Sequence, residues 1–137
     1  MKKKTILVVC GGTSNEREIS LKSGKACSIA IKKLKHKVLN FDPANDDFKK
    51  IKKYKVDLIF NTLHGRDGED GIAQSYFEYF NIPYTHSGIL SSMNAMDKII
   101  SKEVFIKNKI RTPKFIELNS INYHNILKKN NIRPYSL

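Results

Sequence analysis

The sequence contains no tryptophan, only two cysteines and only four prolines among 137 residues. Two cysteines, Cys10 and Cys27, are too few for a disulfide-stapled scaffold or a four-cysteine zinc site. No apolar run approaches the roughly 18 residues that a membrane-spanning helix needs. The short apolar run Ile6–Cys10 after Lys2–Lys4 is below the length of a signal-peptide core and lacks a cleavage site. We therefore expect a cytoplasmic domain with reduced cysteines and no membrane contact.

Arginine is also scarce, because only four of the 25 basic residues are Arg although the net charge is +12. The charge is unevenly distributed: residues 1–55 carry a balance of +10, residues 56–97 of −5, and residues 98–137 of +7. A nucleic-acid binder usually concentrates basic charge beside its reading element, but the most motif-like stretch here is acidic. The composition favours a lysine-rich solvated surface and no nucleic-acid partner, with electrostatic nucleic-acid binding as an alternative.

Short apolar segments alternate with helical patterns along most of the chain. Apolar, β-branched runs predict strands at 5–10, 37–42, 56–62 and 83–86. Between them we expect helices, the first with an apolar face and the second short and lysine-rich at 46–54. The apolar face of the first comprises Ser20, Ser23, Gly24, Cys27, Ala30, Ile31 and Leu34, and that of the helix before 83–86 comprises Ile72, Tyr76, Phe77 and Phe80. This alternation predicts the α/β class, with an open, doubly wound parallel sheet.

A junction is expected around 88–96, and a weaker pattern follows it. A helix beginning at Asp97 or Lys98, a strand-like stretch at 115–118 and a weak helix near 122–130 complete the prediction. We assign residues 1–95 to one domain and residues 96–137 to the start of a second.

Two glycine-rich segments follow predicted strands, where open parallel sheets bind their ligands. The first, GGTSNERE at 11–18, is neither a dinucleotide fingerprint nor a P-loop. Its paired glycines allow a tight turn, and Glu16 is a candidate ligand contact. The structural alternative is strong, because Thr13 and Glu16 match a capping box.

The second segment, HGRDGEDG at 64–71, interleaves three glycines with charged side chains, as a loop around a small polar ligand does. His64 is the candidate here, although a histidine after a strand is more often a hydrogen-bonded structural residue. The alternative for Asp67, Glu69 and Asp70 is a solvated turn in which Asp70 caps the next helix. Lys98 is a third candidate, since a cation at a helix N-terminus is favourable when a phosphate binds there; otherwise it is one more surface lysine.

Taken together, GGTSNEREIS, NTLHGRDGEDG, NIPYTHSG and the junction Met96–Lys98 resemble the N-terminal part of bacterial D-alanine–D-alanine ligases. The resemblance extends to about Leu118. It implies a Rossmann-like pre-ATP-grasp domain at 1–95 and an incomplete start of the ATP-grasp domain at 96–137. It also implies a cytoplasmic ligase, dependent on ATP and Mg²⁺, that makes D-alanyl-D-alanine for peptidoglycan through an acyl phosphate, and a possible homodimer.

The resemblance gives each candidate a role. Glu16 is similar to the acid that orients the ammonium group of the first D-alanine, and it is the predicted catalytic residue as well as a substrate contact. His64 resembles the residue beside that substrate's carboxylate, and Lys98 matches a lysine that holds ATP phosphates. Since Glu16 and His64 share one ligand only if strands one and three are neighbours, we expect a sheet order beginning 2-1-3.

The sequence departs from the family after residue 113. Only Glu103 and Glu117 carry negative charge beyond Asp97, so the carboxylates that hold Mg²⁺ in the family are not expected here and we predict no metal ligand. We therefore expect this chain alone to be inactive in ligation. The alternative is a stand-alone α/β domain that binds a small ligand or regulates without catalysis.

Overall fold

The computed structural model describes residues 2–118, 121 and 123–130, so that residues 131–137 of the second predicted domain lie outside the described residues. The strands are β1 (Thr5–Val9), β2 (Lys37–Phe41) and β3 (Leu58–Asn61). The helices are α1 (Arg17–Lys33), a 3₁₀ helix (Phe48–Lys53), α2 (Ile72–Tyr79), α3 (Ile89–Met96), α4 (Lys98–Lys107) and α5 (Tyr123–Asn130). The predicted α/β class is confirmed. The chain forms two compact units, one up to Lys98 and one from Ile99 onward.

The three strands form a parallel sheet in the order β2-β1-β3, as expected. β1 is central, with Leu7 opposite Leu39 on one side and opposite Ile59 on the other. Its last residue, Val9, is paired with Phe41 and with Asn61. The carboxyl ends of all three strands therefore meet at one edge, which is where the two glycine-rich segments begin.

The alternating side chains of β1 supply two hydrophobic cores, one on each face of the sheet. Ile6 and Val8 pack with Ile31 of α1 on one face. The other core is larger and is covered by the 3₁₀ helix and α2; its buried members are Leu7, Val9, Phe41, Ile51, Ile59, Leu63, Ala73 and Phe77. Because helices cover both faces, the central strand β1 is an almost continuous apolar run instead of an alternating one.

Helix α1 approaches the sheet closely because small residues line its inner face. Ser20, Gly24, Ser28 and Ile31 are its buried residues. A side chain at Gly24 would overlap the Cβ of Cys10 and would lie 2.9 Å from its Sγ. The predicted apolar face was right for Ser20, Gly24 and Ile31, which are buried, but wrong for Ala30 and Leu34, which are exposed. Leu34 lies just beyond the helix as its C-cap and is 68% exposed.

Several other predicted elements differ from the structure. The fourth strand at 83–86 is reduced to a single parallel bridge between Ile59 and Tyr84, after which His86 takes a left-handed conformation (φ 83°) that turns the chain away. The expected junction at 88–96 is largely the helix α3, whose first turn packs against Gly71. Ile72 was predicted to be in the apolar face of α2, but it is 41% exposed, whereas the polar Gln74 is buried.

The second unit contains α4, which begins at Lys98 as predicted, and α5. Residues 115–118 form no strand, because the described residues of this unit contain no second strand to pair with them. Lys102 instead organises this region: its Nζ donates to Thr112 Oγ1 at 3.0 Å and lies 5.1 Å from the ring centroid of Phe115. Among the described residues, no helix has both the length and the apolar content that crossing a bilayer requires.

The close contact at Gly24 makes a stability prediction. Gly24→Ala introduces a methyl group into the space of Cys10, and overpacking outweighs the better helix propensity of alanine. We expect the free energy of unfolding to fall by about 2 kcal/mol in urea titrations. Gly88→Ala is the control, because a Cβ there would have its nearest neighbour at 3.6 Å, an ordinary contact. Equal stability of the two variants would contradict this account of the helix–sheet contact.

Candidate functional site

The loops that follow β1 and β3 are joined by one buried serine. The hydroxyl of Ser20, on the first turn of α1, accepts a hydrogen bond from the N–H of Gly11 at 2.8 Å. The same hydroxyl donates to the carbonyl of Thr62 at 2.7 Å. Ser20 is fully buried, so both bonds are shielded from water. The helix and the two glycine-rich loops are thereby fixed to one another.

Glu16 lies at the N-cap position of α1 and not inside its first turn. The predicted capping box is wrong, because the helix begins at Arg17, three residues later than a Thr13 cap requires. Thr13 instead donates to Asp67 Oδ2 at 3.3 Å, and the hydroxyl of Ser14 accepts from the N–H of Glu16 at 3.2 Å. The carboxylate of Glu16 is thus not used to cap its own helix.

An ion pair between Arg17 and Asp42 fixes the loop that carries Glu16. Arg17 contacts both carboxylate oxygens of Asp42, at 3.0 and 2.7 Å, and also donates to the carbonyl of Gly12 at 2.9 Å. Desolvation acts to raise the pKa of Asp42, but hydrogen bonds from Arg17, Gly12 N–H and Ala44 N–H outweigh it and hold that pKa below its usual value. The hydrogen bond to Asp42 raises the pKa of Arg17. Both groups are therefore charged in the folded chain.

The loop after β3 forms one compact turn. The carbonyl of Gly65 accepts from the N–H groups of Gly68 and Glu69, at 3.2 and 3.0 Å. The buried side chain of Asn61 holds the turn against the sheet by donating to Gly68 O at 3.0 Å. The N-cap of the following helix is Gly71 and not Asp70 as expected, although Oδ1 of Asp70 accepts from the N–H of Ile72 at 3.2 Å. The turn brings residue 69 back beside residue 65.

The side chain of Glu16 reaches the loop after β3 at Gly65. A Cβ built on Gly65 would lie 2.5 Å from Oε2 of Glu16, so this carboxylate occupies the space directly over the residue that follows His64. Gly65 also has a left-handed φ of +68°, which a side chain would strain. The neighbouring Ser14 links the two loops again by donating to the carbonyl of His64 at 2.7 Å. The acid and the imidazole thus belong to the same rim of the sheet.

The imidazole of His64 lies between two polar side chains. Its Nδ1 is 3.5 Å from Oε1 of Glu69, and its Nε2 is 3.4 Å from the hydroxyl of Ser23 on α1. The ring is about one-third exposed, so it remains accessible to a ligand from solvent. Carboxylates and an imidazole at one rim can bind the ammonium and the carboxylate of a small zwitterion.

A pocket of about 270 Å³ is lined by His64 but not by Glu16. Its walls come from both loops, with Gly12 and Thr13 from the first and His64 and Asp67 from the second, and from Tyr76 of α2. The volume suits a small polar molecule, and the position between the β1 and β3 loops is the switch point at which open α/β sheets bind ligands.

A larger open groove, about 610 Å³, runs between α1 and β2 and includes Cys10 and Asp42. The carboxylate of Asp42 is already paired with Arg17. Burial, reinforced by the charge of Asp42, raises the pKa of the Cys10 thiol, which disfavours a nucleophilic thiolate. We therefore assign the site to the Glu16–His64 rim and not to this groove.

Lys98 is the last residue of the first compact unit and the first residue of α4. In the described part of the chain, no three His, Cys, Asp or Glu side chains come together as a metal site would require.

Sequence reasoning missed Glu69 and Ser23 as partners of the imidazole and missed Gly65 as the place of convergence. The charged pattern of this segment favours a solvated turn for Glu69, and its side chain is 45% exposed. A signal was present, because glycines at 65 and 68 allow a turn tight enough to return Glu69 to the start of the loop.

Comparison with known protein families supports the resemblance found in the motifs. Residues 40–87 match the family described as "D-ala D-ala ligase N-terminus". A D-alanine–D-alanine ligase of Pelagibacter ubique is 48% identical over 131 residues, which are 93% of this chain and 43% of the relative. That of Moorella thermoacetica is 43% identical, over 86% of this chain and 38% of the relative. The chain thus spans less than half the length of these relatives.

Solved structures show the same relationship. The crystal structure of a D-alanine–D-alanine ligase from Bacillus anthracis superposes with a TM-score of 0.76 and 34% identity, over 93% of this chain and 43% of that one. The complex of a ligase from the same organism with ATP gives a TM-score of 0.74 and 36% identity, over 86% of this chain and 40% of that one.

The Arg17–Asp42 pair predicts a pH dependence of stability. The pKa of Asp42 is lowered by folding, so its contribution is fully present above the unfolded pKa of about 3.9 and is lost as pH falls through the lower folded pKa. At pH 7 we expect Asp42→Asn to lower the free energy of unfolding by about 1 kcal/mol, and the difference to shrink towards pH 2. Asp46→Asn, which removes an exposed pair with Lys50, is the control and should change little at either pH. A pH-independent effect of Asp42→Asn in urea titrations would contradict the assignment.

Proposed function

Because this chain is related to the N-terminal region of the D-alanine–D-alanine ligases, we propose that it supplies the first-substrate half of such a ligase. In this proposal the rim at Gly65 binds one D-alanine. The observation that carries the proposal is that the Glu16 carboxylate lies over Gly65, the residue that follows His64 in the loop after β3.

The electrostatics of the rim suit an amino-acid zwitterion. Glu16 binds and orients the ammonium group, and its ionised oxygens remain available because the helix start is organised by Ser14 and Arg17 instead. His64 lies beside the substrate carboxylate, where a ring N–H donates to it. Holding both ends of a small substrate fixes the direction of its carboxylate, which is the group that reacts.

The rest of the ligase chemistry is proposed from the relationship alone. ATP supplies the phosphoryl group that activates the carboxylate of D-alanine, and Lys98 at the start of α4 is the candidate contact to its phosphates. Magnesium belongs to this reaction in the family, but the described residues do not gather the carboxylates that would hold it, so we assign it no residue of this chain. We propose residues 1–95 as the pre-ATP-grasp domain and residues 96–137 as part of the ATP-grasp domain. A cytoplasmic role in peptidoglycan synthesis and a homodimer complete the proposal.

Binding of D-alanine tests the two site residues. Glu16→Gln removes the charge at constant shape, and His64→Ala removes the ring donor, so we expect each to weaken D-alanine binding about tenfold or more in calorimetry. Glu18→Gln is the matched control, since Glu18 lies exposed on the first turn of α1 and its loss changes the net charge equally. Loss of affinity in the Glu16 variant but not in the His64 variant would contradict a shared ligand.

Gly65 gives an independent test of the geometry. A methyl group at Gly65 displaces the Glu16 carboxylate and strains a left-handed backbone, so Gly65→Ala should weaken D-alanine binding about tenfold although no ligand-binding side chain is removed. Gly88→Ala, remote in the chain and unstrained, is the control. Circular dichroism establishes that the variant is folded, and undiminished affinity in a folded Gly65→Ala protein would show that Glu16 does not act from this position.

A further inference from the structure

The side chain of Glu69, in the loop after β3, makes two contacts across the turn. One oxygen of Glu69, Oε2, accepts from the N–H of Gly65 at 2.9 Å. Its other oxygen lies 3.5 Å from Nδ1 of His64. The first bond anchors the side chain across the turn, and it directs the second oxygen to the imidazole.

We propose that Glu69 is a positioning residue, which holds the proton of the neutral His64 ring on Nδ1 and leaves Nε2 for the ligand. An ionised carboxylate only accepts hydrogen bonds, so the nitrogen facing it is the one that carries the proton. The 3.5 Å separation is longer than a formed hydrogen bond, and bonds of this kind tighten when a ligand completes the site.

With the proton on Nδ1, the other ring nitrogen of His64, Nε2, is a hydrogen-bond acceptor. Nε2 lies 3.4 Å from the hydroxyl of Ser23, which donates to it while the ring is neutral. When a ligand carboxylate arrives, the ring takes up a second proton from solvent at Nε2, which then donates to that carboxylate. The negative charge of Glu69 on the opposite side of the ring stabilises the resulting imidazolium. This last step rests on the proposed function, whereas the position of the proton in the ligand-free chain does not.

The tautomer is measured on the ligand-free chain by ¹⁵N–¹H correlation spectra of the histidine rings under alkaline conditions. We expect the Nδ1–H form of His64 to predominate, although free histidine prefers the Nε2–H form. Glu69→Gln keeps an acceptor for Gly65 N–H but turns an amide donor towards Nδ1, so His64 should convert to the Nε2–H form. Glu18→Gln is the charge-matched control, in which the Nδ1–H form is retained. An Nε2–H form in the unaltered chain, or no conversion in Glu69→Gln, would overturn the proposal.

Ser23→Ala is a second variant, which tests the proposal if the Glu69 variant does not fold. Loss of the Ser23 hydroxyl should leave the Nδ1–H form in place, whereas conversion would assign control of the tautomer to Ser23 and overturn the role of Glu69.

Binding of D-alanine is measured separately by calorimetry, and we expect Glu69→Gln to bind it about tenfold more weakly. A switched tautomer in a chain that binds no D-alanine would support the role of Glu69 and contradict the proposed function. Unchanged affinity despite a switched tautomer would overturn the part of the proposal that concerns the ligand.

Discussion

The site depends on the buried hydroxyl of Ser20, which satisfies Gly11 N–H and Thr62 C=O with its two hydrogen bonds. Both backbone groups lie just beyond the ends of paired strands, where the ladder no longer provides partners, and an unpaired buried group would be unfavourable by about 1–3 kcal/mol. The same hydroxyl therefore terminates two strands, starts the packing of α1 and sets the distance between the loops. A residue with no ligand role thus determines where Glu16 and His64 can lie.

Near the Ser20 hydroxyl, the residues that stabilise the first loop differ from the residue proposed to bind a ligand. Asp42 and Arg17 use their charges on each other and on the backbone of the first loop, so they fix it without being available to a ligand. Glu16 is next to Arg17 in the sequence but has none of these structural bonds to make with its side chain. The charged side chains near this loop therefore differ in role, because those already paired with each other or with the backbone are not available to a ligand.

The parts of the fold that could be predicted from the sequence are those that depend on local pattern and on the topology of parallel sheets. Apolar runs located β1, β2 and β3, and the idea of one shared ligand gave the order 2-1-3. The helix start at Arg17 was not predictable from Thr13, because the hydroxyl of Thr13 is engaged by Asp67, 54 residues away. Likewise Leu34 has the spacing of a buried residue, but the helix ends one residue before it. Glu69 was missed for a similar reason, since its role arises only when the turn closes on Gly65.

The structure shows where the acidic residues of the middle segment lie. The acidic middle of a basic chain contains Glu69 and Asp67 at the rim itself, and Glu16 joins them from the otherwise basic first segment. A site that binds an ammonium group needs negative charge close to it, and solvent screening keeps the repulsion from more distant lysines weak. Under the proposed function, the imidazole among these acids binds the carboxylate of the same ligand. One mixed rim can thus discriminate a zwitterion from a simple cation or a simple anion.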